Sequence, residues 1–145
     1  MHIDPQAPVQ ARDTILIHAP IEKVWAIQTD LEGWPSWQPD IQAVRLDGRL
    51  EAGTIFRWKA QGLTITSTLG VFEPPNRIGW TGRSIGMKAV HLWYFEAAPE
   101  GTQVTTEESL SGWLTRLMVL FDKRFLQKSM AQSLARLKER AESAT

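Results

Sequence analysis

The chain of 145 residues contains no cysteine, which excludes disulfides and thiolate metal ligands and leaves the redox compartment unread. Neither sign of charge dominates, because 16 Lys and Arg balance 16 Asp and Glu. A chain without a basic field has no global electrostatic footprint for nucleic acid, so none is expected as a partner. No apolar run reaches membrane-spanning length. Met1 to Gln10 is polar and carries Pro5 and Pro8, so a signal peptide is not expected and the cytoplasm is the default location. There is also no glycine-rich phosphate loop, no nucleophile–base motif and no carboxylate dyad, and no cofactor is expected. The length suits one domain with a proper core, read as a flexible arm over residues 1–8 and a single domain over residues 9–145.

What the chain has is a final stretch, Leu114 to about Ala144, free of proline and glycine and rich in good helix formers. Ser111 is a plausible N-cap. Leu126, Met130, Leu134, Leu137 and Ala141 fall on one stripe at helical spacing. Leu114, Leu117, Met118, Phe121 and Phe125 point roughly 160° away from it, at about 100° per residue. Either the helix kinks near Phe125 or its first half is covered on more than one side. Arg116, Lys123, Arg124, Lys128, Arg136, Lys138 and Arg140 make it locally basic. A solvated face explains them, with weak contact to an anionic membrane surface as the alternative.

Upstream, Val9 to Ala19 reads as a first strand. Pro20 sits where a helix can begin, and Ile21, Val24, Trp25 and Gln28 form a short one. Asp30 to Pro39 is a second short helix or turn, broken by Gly33, Pro35 and Pro39. From Ile41 to about Trp113 the material is strand-like. Alternation places Phe56, Trp58, Ile65, Leu69, Ile78, Trp80, Ala89, His91, Trp93, Phe95, Val104, Thr106 and Glu108 on one face. Turn signals stand at Gln61-Gly62, Glu73 to Asn76, Ile85-Gly86 and Ala98 to Gly101. Closing a hairpin at each sets Trp58 opposite Ile65, Leu69 opposite Trp80, Trp80 opposite His91, and His91 opposite Glu108. Every pair joins inward to inward, as one buried face requires. The expected fold class is therefore α+β, an antiparallel meander curled around the final helix.

This order of elements, with Ala19-Pro-Ile-Glu-Lys-Val-Trp25 followed by Trp34-Pro-Ser-Trp37-Gln-Pro-Asp-Ile41, resembles the START/Bet v 1-like (SRPBCC) superfamily. Within it, Gly53-Thr-Ile-Phe-Arg-Trp58 and Gly101-Thr-Gln-Val-Thr-Thr-Glu-Glu108 look like strands of the polyketide cyclase/dehydrase and lipid-transport group. The resemblance covers roughly Val9 to Ser143. It implies a helix-grip fold: a curved sheet around the C-terminal helix, with a cavity for an apolar ligand between them. Relatives include lipid carriers, aromatase/cyclases and hydroxylase components, and fold alone does not choose among them.

The candidate site follows from the inward set. Trp58, Ile65, Trp80, His91, Trp93, Met118, Phe121 and Phe125 are the expected lining, with His91 and Glu108 as the polar anchor. A buried imidazole beside a carboxylate can do acid–base work, but a hydrogen-bonded core pair is the plainer account. One His and one Glu are too few for a metal site, and none is expected. Trp34 and Trp37, framed by glycine and proline, are a candidate lid. Trp113, Leu114, Leu117, Leu120 and Phe121 can mark a membrane-docking or homodimer surface, or lie buried under the short helices. The leading expectation is binding or carriage of a small hydrophobic, lipid-like or polycyclic aromatic molecule without chemistry. The alternatives are a cyclase/aromatase-like enzyme using His91 for proton transfer, and an interaction protein whose core is filled.

Overall fold

The computed structural model describes residues 1–143; Ala144 and Thr145, the end of the expected helix and domain, lie outside the described residues. The strands are β1 (Val9–Ile17), β2 (Ile41–Leu46), β3 (Ile55–Ala60), β4 (Leu63–Glu73), β5 (Arg77–Ser84), β6 (Met87–Ala98) and β7 (Gly101–Ser111). They form one antiparallel sheet of seven strands in the order β1-β7-β6-β5-β4-β3-β2. β2 to β7 are thus a meander, and β1 closes it by pairing with β7, Ala11 opposite Glu108. Each hairpin has the register expected from alternation: Trp58 faces Ile65, Leu69 faces Trp80, Trp80 faces His91, and His91 faces Glu108. One irregularity interrupts β4, where the pairing slips between Leu69 and Val71 and a bulge forms at Gly70.

Between β1 and β2 lie the helix α1 (Ile21–Thr29) and a 3-10 turn over Leu31–Ser36. Pro20 stands at the N-cap of α1 with φ −63°, the value its ring imposes, and ψ 149°, still extended, so the helix begins after it. α1 presses Trp25 edge-on against Phe95, with ring centroids 5.3 Å apart.

The C-terminal stretch is two helices. α2 (Trp113–Phe121) and α3 (Phe125–Glu142) are separated by Asp122, Lys123 and Arg124. The two apolar stripes cannot face the sheet from one straight rod, and the chain breaks where the stripe changes side. Asp122 is extended at φ −151°, and its carboxylate accepts from the Arg124 N–H and the Lys128 ammonium, both at 2.9 Å. The start also differs from expectation. Gly112, at φ +109°, stands at the N-cap in place of Ser111, since the chain must turn sharply out of β7 there.

α3 lies in the concave face of the curved sheet, nearest β1, and buries Leu126, Met130, Leu134, Leu137 and Ala141. The main core gathers Ile17, Val24, Leu31, Trp34, Phe56, Trp80, Phe95, Leu134 and Leu137. A smaller cluster joins Val9, Ala11 and Leu110 to Leu126 and Met130. On the convex face, Leu92 is fully buried although alternation points it outward. Residues 1–8, read from sequence as a flexible arm, run across this face. The Asp4 N–H donates to Ser109 Oγ of β7 at 3.0 Å, and Arg77 Nη2 of β5 donates to the Met1 carbonyl at 2.6 Å.

Candidate functional site

Between the two apolar clusters the sheet and the C-terminal helices enclose a cavity of about 320 Å³, within the size range of small-molecule pockets. Its sheet wall is made by the inward residues of successive strands: Trp58 on β3, Ile65 on β4, Trp80 on β5, His91 and Trp93 on β6, and Glu108 on β7. Met118 of α2 and Phe125, Leu126 and Met130 of α3 complete it. The rings do not fill the space because small residues stand between them. Ala60, Ser67, Gly82 and Ala89 also line the cavity, and each leaves the volume that a larger inward side chain would take.

The aromatic wall is a connected ladder. Trp34 meets Trp58 at 5.6 Å and Trp80 at 5.5 Å, Trp80 meets His91 at 5.1 Å, and His91 meets Trp93 at 5.4 Å between centroids. The Trp58 indole N–H donates to Ser67 Oγ at 3.1 Å, which fixes its ring. The indole N–H of Trp93, though buried, has no partner.

A polar corner stands on the sheet wall at His91 and Glu108, and Gln28, Gln38, Arg83 and Arg136 add polar groups elsewhere in the lining. Thr106 Oγ1 donates to the Leu92 carbonyl at 2.9 Å and spends its single proton there. With that proton on the Leu92 carbonyl, the same oxygen, 2.9 Å from His91 Nε2, is free to accept, an arrangement that favours the imidazole proton on Nε2. Its Nδ1 is left as an acceptor, 3.6 Å from Glu108 Oε2. Burial pushes the His91 imidazole down to about 3 and the Glu108 carboxyl up to about 8. Both shifts favour the uncharged pair, a carboxylic acid beside a neutral imidazole, over an ion pair. At the rim, Arg136 of α3 and Asp40 ahead of β2 pair at 2.8 Å and tie the helix to the sheet's far edge.

Of the residues expected in the lining, Trp58, Ile65, Trp80, His91, Trp93, Glu108, Met118 and Phe125 are there, and Phe121 is not. Phe121 is 85% exposed at the end of α2. Thr115, Met118 and Val119 set the inward side of that helix, and Phe121, at its final position, stands away from them in solvent. The lid is also corrected. Trp34 is buried, held by its indole N–H on the Gln28 carbonyl at 2.9 Å, and forms part of the fixed wall. Trp37 packs against the main core and does not line the cavity. Sequence reasoning passed over Thr106, which orients His91. The signal available was its position two residues before Glu108, on the same face and beside His91.

A family model described as "Polyketide cyclase / dehydrase and lipid transport" matches residues 8–142. No curated protein matches the sequence. Among solved structures, a hypothetical protein from Helicobacter pylori is similar with a TM-score of 0.86 at 16% identity, over 97% of this chain and 92% of that one. A START superfamily protein from Mycobacterium smegmatis is similar with a TM-score of 0.78 at 16% identity, over 92% of this chain and 97% of that one. A di-domain ARO/CYC protein of the BE-7585A biosynthetic pathway is similar with a TM-score of 0.76 at 22% identity; 94% of this chain spans about half of it, 51%. At such identities these likenesses speak for the fold alone.

Proposed function

The chain belongs to the polyketide cyclase / dehydrase and lipid transport family, and from that premise we propose that it binds and carries a small hydrophobic molecule in the cavity between sheet and C-terminal helix. The observation that carries this reading is a cavity whose wall is mainly rings and aliphatic chains, with the His91–Glu108 pair set among them on the sheet side. An apolar wall drives burial of an apolar ligand, and the corner selects its polar group. Glu108 as a neutral acid suits an uncharged hydroxyl or carbonyl oxygen. A carboxylate placed at the Glu108 corner would meet a second carboxyl there, which costs it binding, while Arg83 and Arg136 stand elsewhere in the lining.

Calorimetric titration with naphthalene, 2-naphthol and 2-naphthoate tests this. 2-Naphthol should bind about three- to tenfold more tightly than naphthalene, the value of one net hydrogen bond, and 2-naphthoate should bind most weakly. If none of the three binds, and native mass spectrometry of protein from its own host finds only the bare chain, the cavity is not a ligand site. A second reading, proton transfer on a bound polyketide-like molecule, draws on one observation. A carboxylic acid near 8 is well placed to give a proton at neutral pH, while an imidazole near 3 is a weak base. Should Glu108→Gln abolish conversion of the co-purifying molecule without releasing it, as His91→Ala would if the imidazole carried the proton, the protein is an enzyme. An affinity change alone leaves carriage standing.

A further inference from the structure

α2 is the helix whose apolar residues lie mostly in solvent. Trp113 is 62% exposed, Leu117 44%, Leu120 81% and Phe121 85%. Ile85, 72% exposed at the β5–β6 turn, joins them, because the Leu114 N–H donates to the neighbouring Gly86 carbonyl at 3.0 Å. Apart from Ile55, these are the exposed large hydrophobic residues among those described. They are gathered in one place rather than scattered, as a chance distribution would leave them.

The charges around the patch are of one sign. Arg116 on the helix and Lys123 and Arg124 just after it are exposed, and none is in an ion pair among the described residues. Asp122, the one acid of residues 111–124, is occupied by Lys128, which holds its carboxyl below the usual range. A second copy of the chain would bring like charges together around its apolar centre. An anionic bilayer complements them. The helix is nine residues, about 13 Å, and no described helix is long and apolar enough to cross a membrane. A short helix with Trp, Leu and Phe outward and Lys and Arg at its border suits the plane of the interface.

We propose that the outer face of α2, with Ile85 beside it, docks the protein on anionic lipid surfaces. The inner side of the same helix supplies Met118 to the cavity wall, so docking brings that wall against the bilayer. The surface stands on exposure and charge, and does not depend on what the cavity holds.

The test is sedimentation of the full chain with vesicles of phosphatidylcholine alone or with about one third phosphatidylglycerol. The chain should sediment with the mixed vesicles at low salt and be released as salt rises. Leu120→Asp with Phe121→Asp should weaken binding at least tenfold with an unchanged thermal melt, since both side chains are exposed. Arg116→Glu with Lys123→Glu and Arg124→Glu should remove the preference for phosphatidylglycerol. Failure to sediment with either vesicle overturns the proposal, as does sedimentation that the Leu120 and Phe121 changes leave intact. So does a dimer in analytical ultracentrifugation that those changes dissociate, which would make a second copy the occupant.

Discussion

The proton held at the polar corner has a consequence for stability that can be worked from the structure. Unfolded, Glu108 titrates near 4.5 and His91 near 6.5; folded, they are moved to about 8 and about 3. Each pH unit over which one state holds one more proton changes stability by about 1.4 kcal/mol. Glu108 has its folded value raised, so its contribution is complete below about 4.5 and is lost as pH rises toward about 8. His91 has its folded value lowered, so its contribution is complete above about 6.5 and is lost as pH falls toward about 3. Between about 4.5 and 6.5 the two slopes cancel, because folded and unfolded states each keep one proton on the pair. The pair therefore contributes a plateau. Above it, from about 6.5 to about 8, only the Glu108 slope remains, and over about 1.5 pH units stability falls by about 2 kcal/mol. Glu108→Gln removes that alkaline limb and leaves the His91 slope uncompensated, so the acid limb begins near pH 6.5 instead of near 4.5. Urea unfolding followed by tryptophan fluorescence, repeated across this range for both proteins, gives the two profiles. Identical profiles, with no fall for the wild type between about 6.5 and 8, would refute the account of a buried one-proton pair.

Three further outcomes follow from particular contacts. Thr106→Val removes the acceptor of His91 Nε2–H and the donor to the Leu92 carbonyl, and should cost about 1–3 kcal/mol. Imidazole ¹⁵N shifts should show the Nε2–H form in the wild type and a mixture of tautomers in that variant. Leu137→Ala, at a fully buried position on α3, should cost about 2–5 kcal/mol in chemical denaturation. Ala89→Leu extends a short wall residue into the cavity, and calorimetry should show 2-naphthol binding weakened at least tenfold while stability moves by less than about 2 kcal/mol.

Much of the candidate site was legible because a meander is local. Alternation decides which side of a strand faces in, and a short turn decides which residues stand opposite. His91 could therefore be set against Glu108, and Trp58 against Ile65, from spacing alone. The bulge at Gly70 left those pairings intact. What alternation does not carry is coverage by a distant segment. Leu92 is buried because residues 1–8 cross the convex face; Val90, Leu92 and Tyr94 stand out as apolar exceptions on the outward side of β6, but nothing within that strand says which segment covers them.

The sequence by itself determined the strand faces, the hairpin registers, the two stripes of the C-terminal stretch and the family, since each depends on residues close together in the chain. Only the tertiary structure decided where the helix breaks, that Phe121 stands in solvent, that Trp34 is a fixed wall, and that Thr106 favours one His91 tautomer. It also decided that a cavity remains at all. An empty volume is what is left after every side chain has been placed. It depends on how Gly82 and Ala89 of the sheet fall against Met118 and Met130 of the helices, and no single stretch contains that sum.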